Sequence, residues 1–221
     1  MSEFLDSIAA PPIFYFCLEA TGAIAGAISG IRLASAKHFD WFGAYVVGLA
    51  TALGGGTTRD ILLNLPVFWM RDPTYLIVTL VALVAVLVFG KWLISQDTTW
   101  FIFDTIGLGV FTAIGYEKTV CINGFPWWTG IVMGIITGAG GGIMRDILIN
   151  EVPLIFRKEI YATACLAGAS VFALMDEFKI DMRLCALVCG LVVIGIRLLA
   201  VKYSLRMPSL RDWHLGSRSA S

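Results

Sequence analysis

Two copies of one pattern, Gly54-Gly55-Gly56-Thr57-Thr58-Arg59-Asp60-Ile61-Leu62-Leu63-Asn64 and Gly140-Gly141-Gly142-Ile143-Met144-Arg145-Asp146-Ile147-Leu148-Ile149-Asn150, lie 86 positions apart. The same offset pairs Trp41 with Trp127, Gly48 with Gly134, Thr51 with Thr137, Arg71 with Arg157 and Tyr75 with Tyr161. An offset of 85 pairs Glu19 with Asp104, Gly22 with Gly107 and Gly30 with Gly115. Matches this many and this ordered describe a chain built from two related halves.

The units inside each half follow from hydropathy. The 221-residue chain is 58% hydrophobic and 14% charged, where a soluble domain carries about 25% charge. A bilayer core takes about 20 apolar residues per helix, and seven segments qualify: roughly 12–31, 41–63, 74–94, 100–118, 127–149, 159–175 and 182–202. The expected fold is an all-α integral membrane domain over residues 1–203, followed by a polar, basic tail over 204–221. The offset maps spans 1–3 (about 12–94) onto spans 4–6 (about 100–175), and the seventh span (about 182–202) is extra. Three is odd, so the two halves enter the membrane in opposite senses. They form an inverted repeat about an axis in the membrane plane, a construction that places transport sites near the midplane.

Glycine in a helix interior costs about 1 kcal/mol relative to alanine, so a triplet predicts a break in the second and fifth spans. Carbonyls and N–H groups freed there could hold ions. Arg59, Asp60, Arg145 and Asp146 follow the triplets, and charge at a helix centre costs roughly 2.5–3.5 kcal/mol. These four should face the bundle interior. Neighbours at i,i+1 do not face each other on a helix, which predicts pairs across the repeat, Arg59 with Asp146 and Arg145 with Asp60. The same charges could instead only lock the bundle together. Glu19 and Asp104 are matched intramembrane carboxylates and hence further pathway candidates, although Asp104 could sit near enough to the interface to be solvated. Thr51, Thr57 and Thr137 can line a pathway or bond back to their own helix. Gly22, Gly26 and Gly30 at i,i+4 spacing read as a packing stripe, within the chain or against a second subunit.

Other features bound the function. Net charge is zero with no basic patch, which argues against a nucleic-acid partner. Five cysteines show no Cys-x-x-Cys spacing, and Cys185 and Cys189, on one helix face, read as core. Tryptophans 41, 69, 92, 100, 127 and 128 fall at span ends, as an interfacial belt does. His38 and His214 lie in a loop and in the tail. Gly-Gly-Gly-x-x-Arg-Asp lacks the Gly-Lys-Ser/Thr ending of a phosphate loop, and no metalloprotease motif or nucleophile elbow occurs. No enzyme and no cofactor is expected. Glu3 and Asp6 precede the first span without a basic region, unlike a cleaved signal peptide. With the N-terminus outside, Arg32, Lys37, Lys91, Arg157, Lys158, Lys202, Arg206, Arg211 and Arg218 lie inside, against Arg71, Lys118, Lys179 and Arg183 outside. That excess favours N-out, C-in.

The doubled Gly-Gly-Gly-x-x-Arg-Asp-Ile-Leu-x-Asn in a seven-span chain resembles the prokaryotic trimeric intracellular cation (TRIC) channels, a group overlapping the bacterial UPF0126, or glycine-transporter, membrane proteins. The resemblance covers roughly residues 10–203. It implies a homotrimer in the bacterial inner membrane, among lipids, each protomer conducting K⁺ and Na⁺ through its own pore beside kinked second and fifth helices. Carried over, the pore positions are Gly54, Gly55, Gly56, Arg59 and Asp60 with Gly140, Gly141, Gly142, Arg145 and Asp146, and Thr57 joins them as a hydroxyl beside the first triplet. The Lys-Glu-Val motif of animal members is absent here, so phosphoinositide binding is not implied. Read without the resemblance, the residues fit a secondary transporter for a small zwitterion such as glycine equally well. There an Arg and helix N–H groups would hold the carboxylate while an Asp holds the amine. A purely structural membrane role is the third reading.

Overall fold

The computed structural model describes residues 12–95, 99–157, 160–205 and 207. Seven long helices follow one another: α1 (Pro12–Ala36), α2 (Trp41–Leu62), α3 (Thr74–Ser95), α4 (Thr99–Glu117, prolonged by a π-helical turn to Ile122), α5 (Trp127–Leu148), α6 (Ala162–Glu177) and α7 (Met182–Lys202). Ile13–Ala36, Thr99–Ile122, Trp127–Leu148 and Met182–Lys202 are long and apolar enough to cross a membrane, and Thr74–Gly90 is a shorter apolar helix. All but a few residues of the tail expected over 204–221 lie outside the described residues.

The duplication is visible in packing. α1 packs on α2 and α3 as α4 packs on α5 and α6, and the halves meet where α2 crosses α5 and α1 crosses α4. α7 lies against α4 and α6. Water-driven burial is weak between helices in lipid, so close van der Waals approach carries these contacts. Bare glycine surface supplies it. A Cβ on Gly30 would lie 2.4 Å from Thr51 Oγ1, and one on its repeat mate Gly115 would lie 2.7 Å from Thr137 Oγ1. Gly22, Gly26 and Gly30 are buried inside the protomer, against Phe111, Ala52 and Thr51. The stripe is therefore an internal seam and not a surface for a second subunit.

The expected breaks at the glycine triplets do not occur. α2 and α5 are helical without interruption through Gly54–Gly56 and Gly140–Gly142. Thr57 Oγ1 donates to the Leu53 carbonyl (2.7 Å) and Thr58 Oγ1 to the Gly54 carbonyl (2.9 Å), the back-bonding alternative for threonine. The triplets serve the crossing instead. A Cβ on Gly55 would fall 2.0 Å from the Thr137 carbonyl oxygen, and one on Gly141 would fall 2.1 Å from that of Thr51. Loss of helix propensity is offset by backbone-to-backbone packing at the pseudo-two-fold centre.

Each triplet helix ends the same way. Asn64 and Asn150 adopt left-handed φ (54° and 57°). Leu65 N–H returns to the Asp60 carbonyl and Glu151 N–H to that of Asp146, both at 2.8 Å. This is a Schellman closure with Asn at C′, and it explains the last residue of the repeated motif. A single helical turn (Phe68–Arg71) follows the first copy and a 3-10 turn (Leu154–Phe156) the second.

Two loop charges used for orientation change place. Arg32 is helical and buried, and Lys118 is drawn onto Glu19. The described loop and helix-end cations then divide evenly, with Lys37, Arg157 and Lys202 facing Arg71, Lys179 and Arg183. Lys158, Arg206, Arg211, Arg218 and His214, and the side chain of Lys91, lie outside the described residues.

Candidate functional site

Arg59, Asp60, Arg145 and Asp146 all point into the bundle and are almost fully buried. The pairs across the repeat do not form. Arg59 donates from Nε (2.8 Å) and Nη2 (2.6 Å) to Oδ1 of its own neighbour Asp60. Arg145 donates from Nε (2.9 Å) to Oδ1 of Asp146. The adjacent residues meet because each Asp sits beside the helix end and the longer Arg curls back over it. The other carboxylate oxygen is taken by the returning chain: Phe68 N–H donates to Asp60 Oδ2 and Leu154 N–H to Asp146 Oδ2, each at 3.0 Å. Those donors are again 86 positions apart. Each Asp thus neutralises an Arg and anchors the turn after its helix, which satisfies the demand that buried charge be paired and hydrogen-bonded.

The matched carboxylates of α1 and α4 behave differently. Glu19 accepts a hydrogen bond from Tyr75 Oη and an ion pair from Lys118 Nζ (2.5 Å). Asp104 is buried, not solvated, and its Oδ1 is ion-paired to Arg145 Nη1, which also donates to Ser29 Oγ (2.9 Å). Asp104 Oδ2 is buried and accepts no hydrogen bond among the described residues. Glu19 is saturated, whereas its repeat mate keeps a free acceptor.

Each carboxylate borders a small internal cavity of about 10 Å³, room for one water. The first is lined by Glu19, Ala52, Gly56, Tyr75, Phe111 and Thr137. The second is lined by Asp104, Gly138, Gly142, Tyr161, Phe111 and Thr51. At offsets of 85 and 86, Glu19 matches Asp104, Ala52 matches Gly138, Gly56 matches Gly142 and Tyr75 matches Tyr161, with Thr51 and Thr137 exchanged across the α2–α5 crossing, while Phe111 borders both cavities. Both threonines donate to carbonyls of their own helices, Val47 (2.7 Å) and Met133 (2.6 Å). Their oxygen lone pairs remain available to accept.

Beyond the second cavity lies a larger vestibule of about 230 Å³, bordered by Lys37, Trp100, Arg145, Asp146, Glu151 and Arg157. Arg145 lines the vestibule and its partner Asp104 the inner cavity, so this ion pair separates the two. At the rim, Glu151 binds Lys37 (2.5 Å) and Arg157 (3.0 Å). The Lys37 hydrogen bond, with its charge, holds the Glu151 carboxyl below its ordinary range.

The structure brings Gly56, Gly142, Thr51, Thr137, Glu19 and Asp104 to the two small cavities, Arg59 to the first of them, and Arg145 and Asp146 to the vestibule. Gly54 and Gly55 with Gly140 and Gly141 belong to the helix crossing, and Thr57 accepts a bond from Trp69 Nε1 (2.9 Å). Of the expected interfacial belt, Trp41, Trp127 and Trp128 are exposed at helix starts. Trp69 is engaged by Thr57, and Trp100 lies under the Arg145 guanidinium, 5.8 Å away; the Trp92 side chain lies outside the described residues. Cys185 and Cys189 are buried in the core. Sequence reasoning left out Lys118 as a Glu19 partner, Ser29, Phe111 and Arg197. Arg197, an arginine inside an apolar helix, was the legible signal; it is buried between the rings of Phe101 and Tyr161, 5.0 Å from each.

The sequence model of the family described as "Glycine transporter" matches residues 16–91 and 101–177, one block per half. The chain is 38% identical over 203 residues to the UPF0126 inner membrane protein YadS of Escherichia coli (strain K12), covering 88% of this chain and 95% of that protein. It is 36% identical over 200 residues to a UPF0126 membrane protein of Vibrio cholerae, covering 88% and 82%. Among solved structures it is similar to the TRIC trimeric intracellular cation channel orthologue from Rhodobacter sphaeroides, with a TM-score of 0.81 and 32% identity over 86% of this chain and 98% of that one. A prokaryotic TRIC channel in 0.5 M KCl gives 0.79 and 30%, over 87% and 98%. The chain is an integral membrane protein, and it belongs to the UPF0126, or glycine-transporter, family, with the fold of the prokaryotic TRIC channels.

Proposed function

We propose that the protein is a monovalent cation channel for K⁺ and Na⁺. Each protomer of a homotrimer holds its own pathway along the α2–α5 crossing, and the seven helices all span a bacterial inner membrane, N-terminus out and C-terminus in. One observation carries the reading: two cavities, each bordered by one of the matched carboxylates and one of the matched threonines, and both bordered by Phe111. The similarity to prokaryotic TRIC channels supports it.

Charges beside the path are paired, and one carboxylate oxygen stays open to a cation. Asp60 and Asp146 cancel Arg59 and Arg145, and Lys118 cancels Glu19. Asp104 shares Arg145 with Asp146 through Oδ1, and its Oδ2 accepts no hydrogen bond among the described residues, beside a cavity that Asp104 lines. Because α2 and α5 are unbroken, the passing ion meets side-chain oxygens of Asp104, Thr51 and Thr137 and not glycine carbonyls. A cation that sheds water there exchanges it for the unbonded carboxylate oxygen of Asp104 and the threonine hydroxyls, the exchange on which filters depend.

A second reading, a secondary transporter for a small zwitterion such as glycine, has two observations in its favour. The family's description names it, and the vestibule carries Lys37, Arg145 and Arg157 beside Glu151 and Asp146. Purified protein in a planar bilayer separates the two. Discrete unitary K⁺ steps support the channel. Silence in the bilayer, with saturable uptake of labelled glycine into liposomes, replaces it with the transporter.

A further inference from the structure

We infer that Phe111 is the plug between the two cavities, the side chain a cation must displace to pass from the Glu19 side to the Asp104 side. The inference rests on the channel reading. Phe111 borders both cavities. Its ring rests on the bare surface of α1, where a Cβ on Gly22 would lie 2.9 Å from Cε1.

The repeat explains why only one ring is present. At the offset of 85 the counterpart of Phe111 is Gly26, which lines the second cavity opposite it. A side chain near a pseudo-two-fold axis meets its own copy, so two phenylalanines would compete for one space. One half supplies the ring and the other the vacancy. A duplicated pathway thereby acquires a single closure, although its carboxylates, threonines and tyrosines come in matched pairs.

The chemistry suits a closure. A phenyl ring offers no oxygen to a cation, and each cavity holds about one water. A partly dehydrated ion at Asp104 therefore meets an apolar constriction of the kind that gates by dewetting. The ring is only partly buried, and its side-chain torsions are the motion through which the plug would open.

The test is single-channel recording of purified wild-type, Phe111→Ala, Phe111→Leu and Phe111→Trp proteins in planar bilayers, with methylammonium permeability measured relative to K⁺. Phe111→Leu fills most of the space and guards against a variant that fails to fold. The expected result is several-fold higher unitary conductance and open probability for Phe111→Ala, an intermediate gain for Phe111→Leu, a loss for Phe111→Trp and new methylammonium permeation in the alanine variant. A ring that only packs helices would not change which cations pass. Currents from Phe111→Ala where the wild type is silent also support the plug. Wild-type currents that the alanine and leucine variants leave unchanged overturn the plug and leave the channel standing. Silence of all four proteins overturns both.

Discussion

The carbonyl oxygen of Thr137 occupies the place where a side chain on Gly55 would begin, 2.0 Å from an added Cβ, and the Thr51 carbonyl does the same to Gly141. This reciprocal contact fixes the distance between α2 and α5 and hence the width of everything beside it. Gly55→Ala and Gly141→Ala should each destabilise the protein by about 1–3 kcal/mol or more, because backbone has to move. Gly54→Ala should cost less, since its Cβ meets only the flexible Met144 Sδ. Gly195→Ala, with nothing within 4 Å, should be neutral or stabilising by roughly 0.5–1 kcal/mol. Thermal unfolding in detergent checks this order.

Arg59 is ion-paired to Asp60, whereas Arg145 is ion-paired to both Asp146 and Asp104. Removing one partner of a buried pair costs about 3–5 kcal/mol. Asp60→Asn should therefore reach the upper end of that range and Asp146→Asn the lower, because Asp104 still holds Arg145. Denaturation of the two variants side by side, in one detergent, tests the difference.

The threonine hydroxyls give a chemical test of the lining. Thr137→Ser keeps the oxygen that faces the first cavity, and Thr137→Val keeps the shape and removes it. Unitary K⁺ conductance should be near wild type in the serine variant and reduced several-fold in the valine variant. Equal conductance in the two would remove Thr137 from the pathway.

At the vestibule rim, Glu151 titrates below its ordinary range because Lys37 donates a hydrogen bond to it and adds its charge. A carboxyl depressed in the folded state stabilises it above the unfolded value, and that contribution is lost as pH falls through the folded value. The clasp on Lys37 and Arg157 should thus be closed at neutral pH and open only below the usual glutamate range. Carboxyl NMR should show the Glu151 titration moving upward in Lys37→Ala, and moving upward as well in high salt, which screens an exposed pair.

Much of this architecture is legible in the amino-acid sequence. The 86-residue offset gave the two halves, and span edges fell within a few residues of the helices, since apolar runs end where Asp40, Asn64, Asn150 and Asp181 cap them. The inward-facing charges and the Glu19–Asp104 correspondence were readable too. What a sequence does not carry is which contact compensates a local cost. Glycine propensity argued for breaks, but the Gly55–Thr137 and Gly141–Thr51 contacts keep the helices whole. The helical-neighbour rule argued against Arg59 meeting Asp60, but a long guanidinium beside a helix end escapes it. Phe111 was invisible because it is the place where the repeat fails to repeat.

The central claim, selective cation passage past Asp104, is tested most directly by the reversal potential of the purified protein under a KCl gradient, for wild type and Asp104→Asn. The account predicts a wild-type reversal potential displaced toward the K⁺ equilibrium value and a clear loss of that displacement in the variant. A wild-type reversal at zero or on the chloride side, or full cation selectivity retained by Asp104→Asn, would contradict it.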